Sequence, residues 1–205
     1  MKEFWDDRYS KEDYAYGTSP NLFFKEAIDK YNLKGKILLA AEGEGRNAVY
    51  AAQKGLQVFA FDISEEAKKK ALRLAKEKAV EIHYEVGDFF ELKLLEERFD
   101  AAALIYAHLP PNILPAYHQK IGELLKSGGF IILEGFSENN LELRRVNPKI
   151  GGPDKIEMLY SIDKIKKDFP TFDIILLEEK EVELKEGAFH DGVARVIRFI
   201  GRKKS

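Results

Sequence analysis

Short apolar runs alternate along the chain with longer segments whose apolar positions recur every three or four residues, and this rhythm predicts the elements. Five runs have strand length: Lys36–Ala40, Gln57–Phe61, Glu81–Val86, Phe99–Tyr106 and Phe130–Gly135. Phe99–Tyr106 is almost continuously apolar, as a parallel strand buried on both faces should be. Helical segments lie between them. Arg46–Lys54 stops at Gly55, a long charged helix runs from Ser64 through Lys78, and Leu114–Leu125 stops at Ser127-Gly128-Gly129. Ser64 is the expected N-cap of the charged helix, with Ala67 at its third helical position. An earlier helix, Asn21–Tyr31, follows Pro20 and carries Leu22, Phe23, Ala27 and Ile28 at helical spacing. Ser161–Phe169 reads as a short helix. Ile174–Leu184 and Val193–Gly201 read as two last strands, and the short Lys185–Gly192 connection predicts that they pair antiparallel. The order predicts an α/β fold: a doubly wound, seven-stranded, mostly parallel sheet with helices on both faces and an antiparallel last strand. With 205 residues and no repeat or clear linker, one domain spanning 1–205 is expected.

Composition narrows the function classes. The 33 basic and 35 acidic residues leave a formal charge of -2, without the basic excess of a dedicated nucleic-acid binder. There is no cysteine, so disulfides and thiolate metal sites are excluded. Met1-Lys2-Glu3-Phe4-Trp5-Asp6-Asp7 is acidic and aromatic, unlike a signal peptide. No apolar run approaches the roughly 18 residues of a membrane span. A cytoplasmic location is expected, with no membrane partner. No metal-spaced cluster of His, Asp and Glu is visible, so no metal is expected.

The chemistry concentrates after the first strand. Ala40-Ala41-Glu42-Gly43-Glu44-Gly45-Arg46-Asn47-Ala48 joins a strand to a helix through a Gly-x-Gly turn, the arrangement of a nucleotide-binding loop. Two cofactor classes use this geometry. Gly43-x-Gly45-x-x-Ala48 satisfies the dinucleotide pattern, and Asp62 stands where its ribose-binding acid is expected. A pyrophosphate over the turn would meet Glu42 and Glu44, at a cost of roughly 1 kcal/mol or more per close pair, only partly offset by Arg46. S-adenosylmethionine (SAM) carries a sulfonium and an ammonium and no phosphate, so an acidic turn suits it better. The alternative for the two glutamates is that both point into solvent.

Several segments in order resemble the class I SAM-dependent methyltransferases, whose fold is Rossmann-like with a seventh strand inserted antiparallel beside the sixth. Within that class the chain is similar to the tellurite-resistance-like and thiopurine-methyltransferase-like small-molecule branch. The segments are Phe4-Trp5-Asp6-Asp7-Arg8-Tyr9, Tyr16-Gly17-Thr18-Ser19-Pro20-Asn21, Ala41 to Ala48, Phe61-Asp62-Ile63-Ser64 and His190-Asp191-Gly192-Val193-Ala194. One departure stands out. Leu39 and Ala41 occupy the places where the class usually has an acid and the first glycine, and the acid is moved to Glu42.

The resemblance implies SAM as cofactor and assigns roles. Ala41, Glu42, Gly43, Glu44, Gly45, Arg46 and Asn47 form the loop around the methionine part. Asp62 accepts the ribose hydroxyls, Ile63 packs on adenine, Asp88 accepts from its amine and Phe89 borders the ring. Tyr106 contacts the methionine part, and His108 at the end of the fourth strand faces the acceptor as a candidate base. His190 fits the branch pattern and is the second candidate base. Trp5, Tyr9, Tyr16 and Gly17 lie in an aromatic lid, residues 1–20, expected to fold over the cofactor. Arg144 and Arg145, in the polar segment 139–154, are candidates for attracting an anionic acceptor. For each of these there is a structural alternative: a helix cap or turn for Asp62 and Asp88, core packing for Phe89, a structural imidazole for His108, and surface arginines. His83 and His118 receive no role. The expected reaction is methyl transfer to a small nucleophile such as a thiol or chalcogen oxyanion. The alternatives are an NAD-dependent oxidoreductase and a non-catalytic SAM-binding module.

Overall fold

The computed structural model describes residues 1–205. Its strands are β1 (Lys36–Ala40), β2 (Gln57–Asp62), β3 (His83–Val86), β4 (Phe99–Ile105), β5 (Leu125–Phe136), β6 (Phe172–Lys185) and β7 (Asp191–Lys203). Its helices are α1 (Lys2–Tyr9), α2 (Leu22–Tyr31), α3 (Arg46–Gln53), α4 (Glu65–Glu77), α5 (Leu114–Leu124), α6 (Asn140–Val146) and α7 (Ile162–Asp168). All seven strands form one sheet in the order β3-β2-β1-β4-β5-β7-β6. β1 to β5 pair in parallel, and β7 runs antiparallel between β5 and β6. This is the expected doubly wound, Rossmann-like sheet with its antiparallel last strand.

The strand period of two splits the core into two layers. Ile37 and Leu39 point to the layer shared with Phe23, Phe24, Ala27 and Ile28 of α2 and with Ala48, Ala51 and Ala71 of α3 and α4. Leu38 and Ala40 point to the other, shared with Leu114, Tyr117, Ile121 and Leu124 of α5 and Ile165 of α7. Fully buried side chains such as Phe24, Phe99 and Leu104 each contribute about 1.5–3 kcal/mol by leaving water. Caps fix the helix starts. Ser64 Oγ accepts from Ala67 N at 3.2 Å, as expected, and Asn21 Oδ1 accepts from Phe24 N at 2.9 Å.

Four features differ from the sequence expectation. The N-terminal segment begins with a helix, α1. β5 starts at Leu125, directly out of α5, and Ser127-Gly128-Gly129 lies inside the strand; the register slips there, with Leu125 opposite Phe99 and Phe130 opposite Ala101. Gly128 at φ +77 supplies the bulge. Segment 139–154 is not an open loop but carries α6 and a 3-10 turn, Pro148–Ile150. The last two strands are longer than predicted, so Glu186–His190 alone connects them, with a 3-10 turn at Gly187–Phe189.

The strand order reverses between β1 and β4. Their carboxyl ends, and those of β2 and β5, border the crevice where open α/β sheets bind ligands. No helix is long and apolar enough to cross a membrane.

Candidate active site

The loop after β1 is built on two glycines and two carboxylates with separate tasks. Gly43 and Gly45 adopt φ +65 and +87, which favour glycine. A Cβ on Gly45 would come within 2.6 Å of Ala71 Cβ, so this glycine lets α3 pack on α4. A Cβ on Gly43 would stand 2.8 Å from the Tyr9 hydroxyl. Neither glutamate points idly into solvent. Glu42 turns toward the start of α3, where its Oε1 accepts from Asn47 N at 2.9 Å and Ala48 N at 2.7 Å. Its Oε2 has no protein partner. Desolvation raises the Glu42 carboxyl to about 7 against the opposing pull of those N–H groups and Arg46.

Glu44 turns the other way and is removed from the crevice, a correction to its expected place around the cofactor. Its side chain is 3% exposed and pairs with Lys70 Nζ at 2.8 Å. Its other oxygen accepts from Ala15 N at 2.8 Å. Glu44 thus anchors the N-terminal segment. Lys70 also donates to Asp13 O at 2.6 Å, and the Ser64 hydroxyl donates to Asp6 Oδ1 at 2.6 Å. Trp5 stacks on Tyr9 with centroids 5.4 Å apart. The first twenty residues therefore lie across the loop and α4, with Tyr9 buried beside Gly43 and Ala67. Arg8 donates to the Tyr16 hydroxyl at 2.9 Å and sits 4.2 Å over the Phe189 ring.

Asp62 ends β2 and is 6% exposed. Oδ2 accepts from Gly43 N and Oδ1 from Ser64 N, both at 3.0 Å. Burial, against these backbone donors, raises its carboxyl to about 6. No cation pairs with it, and one acceptor position stays open on each oxygen. Ile63 beside it is partly exposed. Asp88 is exposed at the end of β3, with Oδ1 accepting from Phe90 N at 3.0 Å. Phe89 packs inward instead of bordering an open ring site. It stacks on Phe61 at 4.9 Å and packs at a tilt on Tyr117 at 4.5 Å, in the core.

Beyond β4 the expected base is overturned. His108 Nδ1 lies 2.8 Å from Met158 O, and Phe136 N donates to Nε2 at 3.0 Å. The Nε2 lone pair is occupied, so the proton sits on Nδ1. Desolvation lowers the imidazole to about 4. With no free lone pair, His108 is a structural bridge between β5 and the segment before α7.

His190 is placed differently. Its ring stands against Tyr106 at 4.4 Å, Tyr16 at 4.5 Å and Phe136 at 5.2 Å. Nδ1 lies 3.1 Å from Glu186 Oε2, and Nε2 makes no hydrogen bond. Desolvation lowers its pKa, so the ring is neutral near pH 7. Tyr106 holds φ +56 at the end of β4 and donates to Glu134 Oε1 at 2.9 Å. Glu134 also pairs with Arg198, its cross-strand partner on β7, at 2.6 Å. Asn21 Nδ2 reaches Glu134 at 2.7 Å and Glu186 at 3.1 Å, and Arg46 pairs with Glu186 at 2.9 Å. One buried network thus joins the loop, the start of α2, β5 and the last hairpin.

Sequence reasoning missed Asn21, Glu134, Glu186 and Arg198. Glu134 and Arg198 carry a usable signal: each is a charge inside an otherwise apolar strand. Gly151 and Gly152 pack against the same cluster, where a Cβ on Gly151 would come 2.6 Å from His190 Cδ2 and one on Gly152 would come 2.9 Å from the Phe136 ring. Arg144 holds that turn by donating to Gly152 O at 2.9 Å. Arg145 pairs with Glu142 on the exposed side of α6 and does not reach the His190 cluster.

The residues fit SAM. Asp62 offers two open acceptor positions to a pair of hydroxyls, Glu42 offers an unpaired oxygen to an ammonium, and the Gly-x-Gly backbone admits close approach. Residues 37–129 match a family of methyltransferase domains. No curated protein matches the sequence. The chain is similar to a solved structure described for the conversion of a disulfide bond into a thioacetal group during echinomycin biosynthesis. That likeness has a TM-score of 0.74 and 22% identity, over 100% of this chain and 92% of the other. It is similar to TehB from Haemophilus influenzae, with a TM-score of 0.70 and 15% identity, over 99% of this chain and 67% of that one. It is also similar to magnesium protoporphyrin IX methyltransferase from Synechocystis PCC 6803 with bound S-adenosylhomocysteine (SAH). There the TM-score is 0.70 and the identity 15%, over 99% and 98% of the two chains. The oxidoreductase alternative gives way to the domain match. Residues 37–129 match the methyltransferase domain family, the whole chain has the fold shared by SAM-dependent methyltransferases, and the two together support SAM as the cofactor.

Proposed function

We propose that the protein transfers the methyl group of SAM to a small-molecule nucleophile, such as a thiol or chalcogen oxyanion, by in-line displacement. The observation that carries this reading is the aromatic cluster around His190 beside Tyr106. The cluster lies at the carboxyl ends of β4 and β5, and His190 Nε2 within it makes no hydrogen bond. Bound SAM supplies a methyl group already activated on a sulfonium, so the chain's main task is alignment. The loop backbone from Ala41 to Gly45 and the Asp62 carboxylate hold the cofactor, and Glu42 receives its amino group. The lid of residues 1–20, led by Trp5, Tyr9 and Tyr16, opens for entry and closes to exclude water. His190 takes the proton from an acceptor that arrives neutral. We read the whole chain as one cytoplasmic domain of the tellurite-resistance-like and thiopurine-methyltransferase-like branch. The ordered motifs and the fold likeness to TehB support that branch.

The test is calorimetric titration with SAH and, separately, NAD, on the wild type and Asp62→Ala, followed by a panel of thiols, oxyanions and amines. Micromolar SAH binding weakened in the variant, with turnover on one acceptor class, is expected. SAH binding without turnover on any class would point to a non-catalytic SAM-binding module, and binding of NAD alone would overturn the reading.

A further inference from the structure

We propose that Glu186 is the positioning residue for the base: its carboxylate fixes His190 with the proton on Nδ1 and the lone pair of Nε2 toward the acceptor. The proposal rests on the transferase reading above and names how its base is set.

The geometry leaves one consistent protonation pattern. Glu186 and His190 close the hairpin between β6 and β7, with Glu186 N donating to His190 O at 2.8 Å. Glu186 Oε2 faces His190 Nδ1 at 3.1 Å and Arg46 Nη2 at 2.9 Å, while Oε1 accepts from Asn21 Nδ2 at 3.1 Å. Two of those three partners can only donate, so the carboxyl must accept throughout. Although burial opposes it, the hydrogen bond from His190 and the Arg46 charge hold the carboxyl down to about 2. An ionised carboxylate requires N–H at Nδ1, so Nε2 carries the lone pair. Gly151 packs closely against that side of the ring, where a Cβ would stand 3.0 Å from Nε2.

The charged and titratable groups facing His190 come from several elements. Glu186 raises its pKa, while Arg46 at the start of α3 and Arg8 of the lid lower it. Tyr16, Tyr106 and the neutral His108 complete the surroundings. In the reaction the acceptor's S–H proton passes to Nε2, and the acceptor's electron pair forms the new bond to the methyl carbon. The pair of the broken carbon–sulfur bond stays on the departing thioether. His190 is left as imidazolium against Glu186, and its proton returns to solvent when the lid opens. Arg46 belongs to the cofactor loop, so the same carboxylate ties the base to that loop.

The first readout needs no turnover. Nitrogen NMR of the imidazoles at pH 7.5, with His190 assigned by His190→Gln, is expected to show the Nδ1–H tautomer in the wild type. In Glu186→Gln that signal should shift toward a tautomer mixture. An Nε2–H tautomer in the wild type, or an unchanged signal in a folded variant, would overturn the proposal. The wild-type spectrum decides even where Glu186→Gln fails to fold. The second readout compares an alkyl thiol, protonated at pH 7, with 2-nitro-5-thiobenzoate, already ionised. Glu186→Gln is expected to lower kcat for the first by about 10–100-fold and to spare the second, with partial rescue by Glu186→Asp. Equal losses on both probes would overturn it. SAH titration of the wild type separates this outcome from failure of the transferase reading, since loss of SAH binding removes that reading while the tautomer stays measurable.

Discussion

Glu42 is ionised at a cost in the free protein, and Glu42→Gln should expose that cost. The rise of its carboxyl from 4.5 to about 7 corresponds to about 3 kcal/mol disfavouring the charged form in the fold. The folded value lies above the unfolded one, so the folded state holds the proton longer. The group's contribution is complete below about pH 4.5 and lost as pH rises to about 7 and beyond. Glutamine keeps an oxygen for Asn47 N and Ala48 N and never charges. Glu42→Gln should therefore stabilise the ligand-free protein at pH 8, by up to about 3 kcal/mol or roughly 6–12 °C in Tm, and change little at pH 4.

Ligand binding should respond in the opposite sense. A carboxyl titrating at about 7 is about 90% ionised at pH 8 and about 3% at pH 5.5. If the charged form receives the ammonium of SAH, wild-type affinity should fall about 30-fold between those values, with a proton released on binding near pH 7. Calorimetry in phosphate and in Tris, whose ionisation heats differ, measures that proton directly. Glu42→Gln should lose most of the pH dependence and bind more weakly at pH 8. Any dependence left in the variant would belong to Asp62, which titrates at about 6. Equal affinity at both pH values with buffer-independent heat, or wild-type affinity in Glu42→Gln at pH 8, would refute the role.

Three further outcomes follow from the packing around the site. Gly45→Ala forces a Cβ into Ala71 at φ +87 and should cost about 2–4 kcal/mol; a wild-type thermal midpoint would refute the packing role. Lys70→Met leaves the buried Glu44 carboxylate unpaired, which should cost about 3–5 kcal/mol. It should also speed proteolytic cleavage within residues 1–20, and adding Glu44→Gln should recover much of the stability. His108→Ala orphans Phe136 N and Met158 O and should cost about 2–4 kcal/mol. The pH profile of kcat should keep its shape in that variant, and a shifted profile would return His108 to the role of base.

The sheet was legible because strands buried on both faces leave apolar runs that nothing else in the chain imitates, and because Ser64 and Asn21 mark helix starts with local hydrogen bonds. α1 was not legible. Lys2–Tyr9 carries no cap from Met1 and no clear apolar face, so its helix depends on docking against α4. The Gly-x-Gly loop and Asp62 could be found because their spacing is short. Glu186 could not, since Arg46 and Asn21 stand 140 and 165 residues away and only the fold brings them together. His108 failed for a related reason. A histidine at a strand end has the position of a base, but whether its lone pair is free depends on Phe136 N, which sequence position does not reveal.

The same limit applies to charge. The turn from Glu42 to Arg46 reads as two acids and one base, and that reading favoured a cationic ligand over a pyrophosphate. In the fold Lys70 neutralises Glu44 and Glu186 neutralises Arg46. Glu42 and Glu44 flank Gly43, whose positive φ sends one side chain to the start of α3 and the other against α4. One carboxylate in the turn, Glu42, keeps an unpaired oxygen. The net charge of the turn is therefore unchanged, but it moves to a single, titratable group. An acidic loop of this kind binds its ligand with the charge that packing leaves free, and that charge varies with pH.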